Sequence, residues 1–146
     1  MKISTKGRYG LKAMVDLAYN NSNGKNVTLK SICERQNISE RYLEQIIATL
    51  RKANVVKSIK GAQGGYFLAD SANQITIGRI LRAVEGNLHV TSDNDDNPKD
   101  KVDECIQSKV WDVLNQTIDN VVDSITLEDL VFEYSRTLND GFMLYI

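Results

Sequence analysis

Histidine, proline and tryptophan occur once each in this 146-residue chain, and cysteine only twice. Each scarcity removes a class of function. Cys33 and Cys105 supply neither a disulfide scaffold nor a zinc site, which needs four ligands at short spacings. The lone histidine, His89, cannot be built into a Ser/His/Asp or Cys/His nucleophilic set, so the chain is read as not an enzyme. No run of about 18 apolar residues exists to span a membrane. The stretch "MKISTKGRYG" lacks the apolar centre of a secretory signal, so a cytoplasmic location with no membrane partner is expected. "DNDDNPKDKVDE", from Asp93, has the carboxylates of a calcium loop but puts Pro98 where that loop needs glycine. No metal or other cofactor is expected.

What is present is a globular composition, 42% hydrophobic and 25% charged, enough for one core with an appended arm. The charge is divided unevenly. Residues 1–70 carry 12 Lys and Arg against 5 Asp and Glu, a net +7, whereas residues 71–146 carry 6 against 14, a net −8. A basic half suits a polyanionic partner.

In "GRYGLKAMVDLAYN" the residues Leu11, Met14, Val15 and Ala18 repeat at helical spacing, and the Asn/Gly-rich "NNSNGKN" ends that helix. Thr28 caps a short helix, "LKSICERQ", with Leu29, Ile32 and Cys33 inward; Asn37 and Ile38 make a turn. Ser39 caps the next, "ERYLEQIIATLRKA", whose Leu43, Ile46, Ile47 and Leu50 form one apolar stripe. Two helices joined by such a tight turn give the helix-turn-helix pattern. "VVKSIK" and "GYFLA" then read as strands around a "GAQG" hairpin with glycines at positive φ. Helix, helix-turn-helix and hairpin in that order make a winged helix. Tyr66 and Phe67 follow the last glycine, where a phosphate loop needs Lys-Ser/Thr. That favours a wing touching DNA over a nucleotide cradle, with an ordinary tight turn left open.

"TIGRILRAVEG" is a helix from its Thr76 cap to Gly86, with Ile77, Ile80, Leu81 and Val84 inward. The polar "TSDNDDNPKDKVDE" reads as a mobile loop. After it, Val110, Leu114, Ile118, Val121 and Ile125 step along one face of a long helix. That face suits dimerisation, the alternative being that it packs back on its own domain. "TLEDLVFEYSRTL" adds a last helix and "NDGFMLYI" a short tail. The expected fold is mainly α with a small β-hairpin. Its parts are a winged helix-turn-helix domain (1–86), a flexible acidic loop (87–106), and a dimerisation helix, final helix and tail (107–146).

On the second helix of the pair, Arg41, Glu44, Gln45 and Ala48 lie opposite the apolar stripe. Glu can accept from cytosine, Gln can pair with adenine and Arg with guanine, while small Ala48 allows close approach. A plain solvated face would look the same. Lys6, Arg8, Tyr9, Arg51 and Lys52 are donors suited to phosphates, and Lys60 to the narrow minor groove.

"KISTKGRYGLKAMVDLA", "ISERYLEQIIATLRKANVVKSIKGAQGGYFLA" and "ITIGRILRAVEG" closely resemble the bacterial winged-helix transcription regulators of the Rrf type, the family of IscR, NsrR and CymR. The resemblance runs over about residues 1–86 and resumes in the long helix. It implies a homodimer on a palindromic operator in double-stranded DNA, with helix 39–53 in the major groove and the Gly61–Gly64 wing in the minor groove. The resemblance carries base-reading and groove-inserting roles onto Arg41, Glu44, Gln45 and Lys60, and the full DNA-contacting set expected is Lys6, Arg8, Tyr9, Ser39, Arg41, Glu44, Gln45, Arg51, Lys60, Gly61, Gln63 and Gly64. Iron–sulfur members of the family hold their cluster with three cysteines before the long helix. Here Cys105 matches the last of them, Ser108 stands at the histidine position of some members, and no second cysteine exists in that loop. One thiolate cannot hold a four-ligand cluster, so no cofactor is assigned, an unusual site with Asp or His89 being held back.

The ending "DGFMLYI" resembles the tails of the family's cysteine-metabolism repressor branch and those of serine acetyltransferases, which enter the active site of cysteine synthase (O-acetylserine sulfhydrylase). It implies a repressor of sulfur-metabolism genes for which cysteine synthase is the co-repressor, docking the tail at Tyr145 and Ile146. A tail tucked onto its own domain is the alternative. A redox-responsive regulator of the same family, acting through a thiol such as Cys33 or an unusual iron–sulfur site, is the other functional reading.

Overall fold

The computed structural model describes residues 2–22, 26–92 and 97–144. Helices α1 (Thr5–Ser22), α2 (Leu29–Gln36) and α3 (Glu40–Lys52) are followed by strands β1 (Val56–Ile59) and β2 (Gly65–Leu68). Next come α4 (Ile77–Glu85), α5 (Lys101–Ile106), α6 (Asp112–Ser124) and α7 (Leu127–Leu144). A single π-helical turn, Gln107–Trp111, joins α5 to α6 without a break. The fold is therefore mainly helical with one two-stranded antiparallel hairpin, as expected.

The caps set the helix boundaries. Thr28 accepts from Ser31 N while the Ser31 hydroxyl accepts from Thr28 N, so both orphan donors are satisfied reciprocally. Asn37, at φ 53°, takes the left-handed conformation that ends α2. Ser39 accepts from Tyr42 N at 3.2 Å and starts α3 at once. Their apolar faces meet in one core, where Met14, Leu17, Ile32, Leu43, Ile46, Leu50, Val55, Ile75 and Ile80 are buried. The buried face of α1 is rotated from the expected stripe. Ala13, Met14, Leu17 and Ala18 point in, and Leu11 and Val15 are only half-buried, lining a surface groove with Tyr134 of α7.

Asp16 is also in this interior. Its carboxylate accepts from Arg35 Nε (2.9 Å) and Nη2 (2.8 Å) and from Gln36 Nε2 (2.9 Å), which fastens α1 to the last turn of α2.

β1 and β2 pair from Val56 with Leu68 to Ile59 with Gly65. Only Gly61 of the three hairpin glycines has positive φ (111°), where other residues are strained. Gly64 is required for room: a Cβ there would lie 2.8 Å from Gly61 O.

Two expectations about the second half are corrected. The acidic loop does not extend to 106, because Asp100 accepts from Asp103 N at 2.8 Å and caps a helix that begins at Lys101. Likewise the chain does not leave the last helix as a tail after Leu138. α7 runs on through "NDGFML", Gly141 included, to Leu144.

The arm is tied to the winged domain at its base. Ile77 N donates to Ile125 O (2.9 Å) and Leu127 N to Ile75 O (2.8 Å), while Leu127 is fully buried. Arg82 on α4 grips α6 through Asp123 (2.6 Å) and Asp119 (2.8 Å), and His89 Nε2 lies 3.0 Å from the same Asp119. Hydrogen bonds from His89 and then Arg82 hold the Asp119 carboxyl below its ordinary range. α7 then returns along α1, with Tyr134 edge-on to Tyr19 at 5.0 Å.

Candidate nucleic-acid interface

Burial of Leu43, Ile46, Ile47 and Leu50 turns the other side of α3 outward, and Arg41, Glu44, Gln45 and Ala48 are all exposed there. The helix carries its own dipole match, with Glu40 in the first turn and Arg51 and Lys52 in the last.

Two neighbours flank this face. From α1, Lys6 Nζ donates to Thr49 Oγ1 at 3.3 Å and Tyr9 packs edge-on against Tyr42 at 5.8 Å. From the hairpin side, Arg51 Nη1 donates to Ser58 Oγ at 3.3 Å, linking α3 to β1. Lys6, Tyr9 and Arg51 are thus brought against α3 or the hairpin beside it. Arg8 is exposed on α1, and Lys60, Gly61 and Gln63 are exposed at the hairpin tip, with Gly64 half-buried behind them. Ser39 is exposed with its oxygen engaged in the cap. The surface so assembled holds a helix narrow enough for a major groove, a β-tip beside it, and six cationic side chains, Lys6, Arg8, Arg41, Arg51, Lys52 and Lys60.

The Rrf2 family profile, described as iron-dependent transcriptional regulator, matches residues 3–133. The chain belongs to the Rrf2 family. It is 42% identical to the HTH-type transcriptional regulator CymR of Bacillus subtilis (strain 168) over the full length of both proteins. The solved structure of CymR, the global cysteine regulator of B. subtilis, superimposes with a TM-score of 0.78 at 41% identity, over 91% of this chain and 98% of that one. IscR of T. potens matches with a TM-score of 0.71 at 45% identity, over 92% of this chain and 88% of that one. With these Rrf2 relatives, the chain is a DNA-binding transcriptional regulator and not an enzyme. None of its helices is long and apolar enough, among the described residues, to cross a membrane.

Iron in the family's description poses a question of donors. Among the described residues, no group of three His, Cys, Asp or Glu is placed to hold a metal. Cys105 stands exposed on α5, and Cys33 lies half-buried on α2. The donor set does not fit an iron–sulfur cluster held by one chain. Burial, followed by the Glu40 charge, pushes the Cys33 thiol up from its ordinary value, so little thiolate forms near pH 7.

The expected pairing stripe of the long helix divides in two. Val110, Leu114 and Val121 are exposed, whereas Ile118 and Ile125 pack against the core. Tyr145 and Ile146 lie outside the described residues.

Three residues that tie these elements together carried no signal in the sequence. Asp16 and its partner Arg35 are 19 positions apart, and Asn26 reaches the wing across 37 and 38. Such pairs are set by packing and leave no local pattern.

Proposed function

We propose that the chain represses genes of cysteine and sulfur metabolism in the cytoplasm, as a homodimer on a palindromic operator. The observation that carries this reading is the exposed Arg41, Glu44, Gln45 and Ala48 face of α3, set between the basic start of α1 and the wing. Arg41, Glu44 and Gln45 read bases in the major groove. Lys6, Arg8, Tyr9, Ser39 and Arg51 hold phosphates and fix register. Lys60, Gly61, Gln63 and Gly64 form the wing that enters the minor groove. The unit of residues 1–86 does the reading, and the exposed Val110, Leu114 and Val121 of the long helix pair with a second copy.

Cysteine synthase acts as co-repressor by accepting Tyr145 and Ile146 in its active site. The similarity to CymR, which extends over the whole of both chains, supports this part. A terminal carboxylate fits backbone N–H groups built for an amino-acid carboxylate, and the Ile side chain fills an apolar pocket. O-acetylserine competes for that pocket, so by linkage it weakens operator binding by the same coupling energy.

The test titrates the pyridoxal phosphate fluorescence of the organism's cysteine synthase with the intact chain and with a version lacking Ile146. A saturating change with the first alone is expected. No change with either would end the co-repressor reading while leaving operator binding to be judged separately. That binding is expected to fall steeply with salt, about 0.9 in log K per log salt for each phosphate contacted.

A further inference from the structure

The wing is a hairpin of four paired positions, and a hairpin of that size is marginal in water without support. Its outer edge, on β2, would present open N–H and C=O groups. The segment between α1 and α2 covers that edge. The Asn26 side-chain amide donates to two successive carbonyls, Gln63 O at 3.1 Å and Gly64 O at 2.6 Å. Val27 O accepts from Tyr66 N at 2.7 Å. At the end of α1, Asn21 completes the edge as a strand peptide would, donating Nδ2 to Tyr66 O (3.4 Å) and accepting from Leu68 N (3.3 Å).

The approach is too close for any side chain on β2 at this point. A Cβ on Gly65 would collide with Asn26 Oδ1 and lie 2.8 Å from Val27 O. Asn21 and Val27 hold the strand itself. Asn26 alone of the three reaches the tip, where the internal support is the bond from Gly64 N to Gly61 O at 2.9 Å.

We propose that Asn26 is a positioning residue for the wing: its two donated hydrogen bonds fix the direction in which Lys60 to Gln63 project toward DNA. The inference rests on the reading of the wing as the minor-groove element. Two N–H donors on a short side chain meet two successive carbonyls, and neither Ala nor any aliphatic residue can replace them.

The test starts from a duplex that the intact protein selects from a random pool. Its affinity is measured for the unaltered protein, Asn26→Ala, Gly65→Ala, Lys60→Ala and the Asn26→Ala/Lys60→Ala pair. Asn26→Ala is expected to weaken binding about tenfold with the thermal midpoint nearly unchanged, since Asn26 is exposed. Minor-groove protection from hydroxyl radicals should be lost while guanine N7 protection under α3 persists. Gly65→Ala, whose Cβ meets the backbone Val27 O as well as Asn26, is the strand control: it should lower the thermal midpoint in addition to removing minor-groove protection. In the Lys60→Ala background, Asn26→Ala should add less than about twofold, because the two act through one element.

A full tenfold loss in that background, or loss of both protections together, would overturn the proposal. If Lys60→Ala weakens binding and Asn26→Ala does not, the positioning role fails and the wing reading stands. If Lys60→Ala itself has no effect, both fail.

Discussion

At the scale of single residues, the charges that matter most to the fold are those with no visible partner nearby in the sequence. Asp16 sits among apolar neighbours in "MVDLAYN", yet its side chain is only 2% exposed and receives three hydrogen bonds from α2. Asp16→Ala removes the buried acceptor that ties Arg35 and Gln36 of α2 to α1. A loss of about 2–4 kcal/mol in urea unfolding is expected, and a loss under about 0.5 would show that the pair does no structural work. Asp119 gives a pH-dependent counterpart. Its folded-state value is depressed below 3.8, so its contribution is complete above the unfolded carboxylate value and disappears as pH falls through the folded one. Asp119→Asn should therefore cost more stability at pH 7 than in acid below the ordinary carboxylate range, which chemical unfolding at the two pH values will measure. An equal cost at both would assign the effect to shape and not to charge.

At the scale of elements, α3 should divide cleanly by face. Gln45→Ala is expected to relax base preference at one operator position at about 1–3 kcal/mol, leaving the salt slope alone. Arg51→Ala should weaken all sequences alike and lower the salt slope by about 1, as read by anisotropy across a salt series. The interchange of these two outcomes would mean that α3 lies in the groove in another orientation. This element was legible in advance because its information is local: a Ser39 cap, four apolar residues at helical spacing and a polar face opposite. The same holds for α2 and α4, whose Thr caps are where the spacing put them. The rotation of α1 was not legible, since Leu11 and Val15 are left beside Tyr134 of α7, about 120 positions away. Nor was the start of α5. A proline and a run of acids read as loop, while the Asp100 cap that begins a helix is an ordinary residue in acidic surroundings.

At the scale of the whole molecule, the uneven charge follows the division of the chain: the basic half carries α1 to β2, where the DNA surface is proposed, and the acidic half carries α4 and the arm. Val110, Leu114 and Val121 are expected to hold two copies together, so Leu114→Asp should shift sedimentation from dimer to monomer and reduce operator binding severely. A dimer unaffected by that change would move the interface elsewhere. The stripe was readable from spacing, but its division was not, because Ile118 and Ile125 are claimed by the winged domain's own core. The grip of Arg82 on Asp119 and Asp123 gives this arrangement a mechanical property. From Lys101 to Ser124 the arm is a rod roughly 36 Å long, held along its second half from the buried Asn115, which accepts from Val90 N at 2.8 Å, to Asp123. A tilt of about 10° about Asn115 carries the far end about 4 Å, close to one base-pair step of about 3.4 Å. The joint is a lever fulcrum, and in the proposed homodimer its stiffness would set how far the two reading helices can shift apart.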